Sequence, residues 1–100
     1  MKNPLHILLV EDNEGDVILT TEVLEESGIP YTLSLAKNGR EALDFVFKKG
    51  KFTSSKSPDL IFLDINIPLK NGHEVLQELK NHDATKKYPV IVLTTSCSER

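Results

Sequence analysis

Four short apolar runs, separated by stretches long enough to form helices, constrain this chain more than any other feature. "LHILLV" (5–10), "YTLSLA" (31–36), "LIFL" (60–63) and "VIVL" (90–93) have the length and β-branched content of strands. The intervening segments carry helix signals. Asn13 is a good N-cap before Val17, Thr20, Val23 and Leu24, and Gly28 is a stop. Asn38 with Glu41 three residues on makes a near capping box, followed by Ala42, Leu43, Phe45, Val46 and Phe47 up to Gly50. A third helix is predicted from about Asn71, with Val75, Leu76 and Leu79 on one face before Asn81. The order βαβαβαβ implies an α/β fold, a mostly parallel sheet with helices on its faces. The near-continuous runs at 7–10, 60–63 and 90–93 suit inner strands, and the alternating "YTLSLA" suits an edge.

In such sheets ligands bind outside the carboxyl ends of the strands, so the polar residues that follow each strand carry the information. Glu11 and Asp12 follow the first, Asp64 the third, and Thr94, Thr95 and Ser96 the fourth. Three carboxylates and a hydroxyl cluster are therefore expected at one end of the sheet. Clustered carboxylates raise one another's pKa unless a cation neutralises them. With no sulfur or grouped imidazole nearby, the set suits a hard, oxygen-preferring ion, and Mg²⁺ fits best. An aspartate beside such an ion is either a ligand only or a nucleophile that takes a phosphoryl group. A strand-end hydroxyl such as Thr94 would then donate to a phosphoryl oxygen, and the backbone carbonyl of Asn66, ahead of the Pro68 and Gly72 breaks, is open to act as a ligand. The bland alternatives are solvated charge at a helix start for Glu11-Asp12 and an ordinary strand threonine for Thr94.

Other classes have less support. One hundred residues make one domain, and a net charge of -3 offers no basic surface for a nucleic-acid backbone. No apolar run approaches membrane-spanning length, and a single cysteine, Cys97, fits a cytoplasmic setting and reads as a bystander. His6, His73 and His82 have no metal-site spacing and read as structural or exposed; "KKGKFTSSKSP" (48–58) reads as a solvated loop.

The segments "ILLVEDN", "DLIFLDINIPLKNG" and "PVIVLTTS" resemble the receiver domain of two-component response regulators, from about Leu5 to Ser98. "DINIPLKNGHEVLQELK" and the long loop before Asp64 further resemble the small stand-alone receivers that serve phytochrome-type histidine kinases. The resemblance implies a flavodoxin-like, doubly wound sheet in the order 2-1-3-4. It implies Asp64 as phosphoacceptor, Asp12 as a direct Mg²⁺ ligand, Glu11 as an acidic neighbour acting through water, the Asn66 carbonyl as third protein ligand, and Thr94 with Thr95 as switch and phosphate-binding hydroxyls. It also implies a histidine kinase as partner, and a self-directed phosphoacceptor rather than an enzyme.

The family pattern continues with a fourth helix, a fifth strand ending in a lysine, and a fifth helix. None of these follows within the 100 residues, and neither Lys70 nor Lys86-Lys87 is placed to replace the lysine. The expectation is a single receiver domain over 1–100, incomplete at its C-terminus, with "VIVL" as an exposed edge through which the chain could form a homo-oligomer. Two rival readings are a non-switching scaffold that covers its missing half by oligomerising, and a flavodoxin-like small-molecule binder. The acidic "VEDNEGD" argues against the second, since it repels phosphate in the absence of a metal.

Overall fold

The computed structural model describes residues 4–54, 56–64 and 72–93. Within them β1 (Leu5–Val10), α1 (Glu14–Ser27), β2 (Tyr31–Ala36), α2 (Gly39–Phe47), β3 (Leu60–Asp64), α3 (Gly72–Asn81) and β4 (Val90–Leu93) follow the expected order. The strands pair in parallel as β2-β1-β3-β4, the flavodoxin-like order.

One face of the sheet makes the core. Leu8, Val10, Ala36, Ile61 and Leu63 meet Ala42, Leu43, Phe45 and Val46 of α2 and Val75 and Leu79 of α3, all buried. Both helices concentrate their apolar residues on one stripe, which is why they seat deeply. The other face is covered more thinly. α1 turns Val17, Thr20, Thr21 and Leu24 halfway into the protein and buries no residue fully. Its remaining apolar residues point away from that stripe, leaving Ile18, Leu19 and Val23 between 58% and 66% exposed. Val23 therefore departs from its expected place on the packed face: the apolar residues of α1 wrap around the helix, and only one stripe can meet the sheet.

The caps behave as the sequence implies at three of four ends. Asn13 Oδ1 accepts from the Asp16 N–H and Asn38 Oδ1 from the Glu41 N–H, at 2.9 and 2.8 Å. Gly28 takes the left-handed conformation, φ 76°, that ends α1. The stop of α2 is displaced from Gly50. The helix ends at Phe47, and Lys48 adopts the left-handed conformation at φ 60° while the Lys49 N–H closes onto the Asp44 carbonyl. Gly50, also at positive φ, opens a 3-10 turn, Gly50–Phe52, that carries Phe52 against the core.

The loop that follows is anchored rather than merely solvated. His6, 5% exposed, has Nδ1 3.1 Å from the Ser57 carbonyl and Nε2 2.8 Å from the Ser34 hydroxyl. Its backbone N–H donates to the Asp59 carboxylate, and the Asp59 N–H donates to the His6 carbonyl. His6 is thus the structural histidine expected, holding the approach to β3.

The second departure concerns β4, whose unbroken apolar run suits an inner strand. Among the described residues it pairs with β3 alone, and Ile91 and Val92 are 47% and 39% exposed. Within the described sheet it is therefore the edge strand.

Truncation of Phe45 to alanine is expected to cost about 3–5 kcal/mol in urea denaturation, whereas Val23→Ala should stay within about 0.5 kcal/mol. Similar losses at the two positions would contradict this description of the core.

Candidate metal centre

Parallel register builds the site. Val10 lies opposite Leu63, so the next residues, Glu11 and Asp64, come abreast at the ends of β1 and β3. The Glu11 N–H donates to the Ala36 carbonyl at 2.9 Å, extending the β1–β2 ladder by one residue and fixing the backbone where the side chain leaves it. Asp64 is the last residue of β3, facing Leu93. Both carboxyls are buried, 1% and 0% exposed, while Asp12 is exposed. One ligand oxygen from each of the three residues falls within 4.8 Å of the others.

The helix start is part of the same construction. Glu11 Oε2 accepts from the Asn13 N–H at 3.2 Å, and Asn13 in turn caps α1. Oε1 is buried with no hydrogen-bond partner. Burial pushes the Glu11 carboxyl up to about 7; the adjacent Asp64 carboxyl pushes the same way, and the Asn13 N–H opposes them. An orphaned buried oxygen beside two further carboxylates costs free energy as it stands. A hard divalent cation relieves it, so the donor set fits such an ion.

Of the other expected site residues, Asn66, Thr94 and Thr95 lie outside the described residues, as do Lys70 and Cys97. The structure brings Glu11, Asp12 and Asp64 together. It adds one neighbour that the sequence reading passed over: Lys37, directly after β2, lines a cleft of about 320 Å³ with Glu11, Asp12, Glu14, Val17, Ile18 and Leu35. The strand-end rule, applied to β2 as to the other strands, points to it.

A 2-1-3-4 parallel sheet whose adjoining first and third strands end in a carboxylate cluster is the frame of a response regulator receiver domain. The profile of that family matches residues 7–100, and the chain belongs to it. Among individual proteins, it is 45% identical over 96 residues to the response regulator Rcp1 of Synechocystis sp., covering 96% of this chain and 65% of Rcp1. The chain thus spans about two thirds of the length of that relative. The crystal structure of Rcp1 in a Mn²⁺-bound form superposes with a TM-score of 0.87, covering 96% of this chain and 69% of that one. The phosphorylated cyanobacterial phytochrome response regulator RcpA superposes equally well, at 0.87 with 40% identity and the same coverage. No helix among the described residues is long and apolar enough to cross a membrane.

The Glu11 carboxyl makes stability depend on pH with a definite sign. A folded-state pKa above the unfolded value favours the native state while the group is protonated. That contribution is intact below about 4.5 and is lost as pH rises towards about 7. Metal-free protein should therefore lose stability over this window, by roughly 3 kcal/mol at most. Denaturation at pH 5 and 8 is the check; Glu11→Gln should remove this part of the slope, and an unchanged slope would show that Glu11 does not carry it.

Proposed function

We propose that this chain is a two-component signalling receiver that accepts a phosphoryl group from a histidine kinase onto Asp64, with Mg²⁺ held by the acidic cluster. The observation that carries the reading is the convergence of Glu11, Asp12 and Asp64 at the ends of adjoining strands. Asp64 is the carboxylate that ends β3, one of the two inner strands, and its oxygen attacks phosphorus as the nitrogen–phosphorus bond of a phosphohistidine breaks. The electron pair leaves with the imidazole, which takes up a proton. Asp12, at the solvent edge, and Glu11, behind it, would hold the cation together with Asp64, with the Asn66 carbonyl as a further ligand. When bound, the cation would supply charge stabilisation for the phosphoryl oxygens. Thr94, with Thr95 beside it, donates a hydrogen bond to the new aspartyl phosphate and biases two conformations of the domain.

The protein is on this reading a phosphoacceptor acting on itself, in the cytoplasm. Likeness to the phytochrome response regulator RcpA supports a phytochrome-type kinase as its partner. The exposed Ile91 and Val92 support a homo-oligomer through the β4 edge, which sedimentation velocity would read directly.

Incubation with Mg²⁺ and acetyl phosphate, followed by intact-mass analysis, should give a single phosphoryl adduct. Asp64→Asn should give none, and Asp12→Asn should weaken the Mg²⁺ requirement's half-saturation by at least about tenfold. An adduct that persists in Asp64→Asn, or that forms equally without Mg²⁺, would contradict the assignment.

A further inference from the structure

The chain is acidic overall, yet its basic residues are segregated. Residues 45–58 and 80–88 contain seven of the twelve basic side chains and one of the fifteen acidic ones. The seven are Lys48, Lys49, Lys51, Lys56, Lys80, Lys86 and Lys87, all exposed. These two segments run from the last turns of α2 and α3 to the starts of β3 and β4, at the end of the sheet opposite the carboxylate cluster. Lys51 reaches back to pair with Glu41 in the first turn of α2, and Lys86 pairs with Asp83.

They are joined there through aromatic contacts. The Phe47 and His82 rings meet edge-on with centroids 5.1 Å apart, and Lys49 Nζ stands 5.6 Å from the centre of the Phe47 ring. His82 Nδ1 donates to the Glu78 carbonyl at 2.8 Å, which fixes the ring at the end of α3. Between the helices a groove of about 360 Å³ opens, with Leu43 and Phe47 as floor and Arg40, Lys49 and His82 on its rim. Asp44 and Glu78, half-buried, stand in its walls.

We propose that this α2–α3 groove is a second docking surface, taking an acidic polypeptide segment that inserts an apolar side chain against Leu43 and Phe47. Charge complementarity with the two lysine-rich segments attracts such a segment, and the apolar floor gives it an anchor. The wall carboxylates select against the other polyanions. A nucleic-acid backbone, with one charge per roughly 1.7 Å of duplex, would press phosphate against Asp44 and Glu78. A flat anionic bilayer cannot enter the groove at all. A peptide can set its carboxylates against Arg40 and Lys49 and an amide N–H against Asp44.

The surface is independent of the phosphoacceptor reading, and its test keeps the two apart. Isotope-labelled protein is titrated with a decapeptide of glutamates interrupted by one central leucine, followed by amide chemical shifts. Shifts should concentrate at Arg40, Leu43, Phe47, Lys49 and His82. The all-glutamate peptide should bind at least about fivefold more weakly, and Arg40→Glu/Lys49→Glu at least about tenfold more weakly. That double variant changes only exposed side chains, and its amide spectrum away from the groove should overlay that of the parent, which shows that it is folded. No shift in the groove at millimolar peptide would overturn the proposal. So would undiminished binding by the double variant, or preferential binding of duplex DNA or phosphatidylserine vesicles at the same residues.

Discussion

The side-by-side burial of two carboxyls, Glu11 and Asp64, is the constraint around which the rest of the molecule is arranged. Like charges at the ends of adjacent strands are unfavourable in a dry setting, and the fold maintains them there by other means. The parallel pairing of β1 with β3, backed by the Leu8, Val10, Ile61 and Leu63 core, fixes both backbones. The ladder bond from Glu11 to Ala36 and the hydrogen bond from Asn13 then fix one of the side chains. A hard divalent cation would remove a cost already present in the folded state, which is why this donor set fits one.

The same logic links the site to α1. Asn13 both donates to Glu11 and caps the helix, so the position of the carboxyl and the start of α1 are one structure. α1 is also the helix held most loosely, with no residue fully buried, while α2 and α3 share the well-packed face. Rigid support thus comes from the sheet and the α2–α3 side, and the element coupled to the carboxylates is the one with least burial to resist adjustment.

Local signals carried most of the fold. Apolar runs located four strands within a residue of their ends, and asparagine caps located the starts of α1 and α2, because both depend on nearest neighbours in the chain. Departures occurred where tertiary context decides. Lys48 accepted a left-handed conformation that glycine normally takes, so α2 stops before Gly50. Val23 continues an apolar pattern but faces outward, since helical wrapping cannot be resolved into a packed stripe without knowing where the sheet lies. β4 reads as an inner strand by composition and stands at the edge of the described sheet. For the site, strand ends pointed to Glu11, Asp12 and Asp64, but not to the register that buries two of them, nor to Lys37 beside the cleft. Strand order and residue roles came from family resemblance, since periodicity does not encode which strands adjoin.

Burial raises the Glu11 carboxyl to about 7, so it is partly protonated near neutral pH, and a divalent cation bound there would drive the proton off. Calorimetric titration with Mn²⁺ in buffers of differing ionisation enthalpy measures the protons released on binding. At pH 7 the expected release is about half a proton per ion, falling towards zero above about pH 8.5 and absent in Glu11→Gln. Binding with no proton release at pH 7, or the same release from Glu11→Gln, would contradict it.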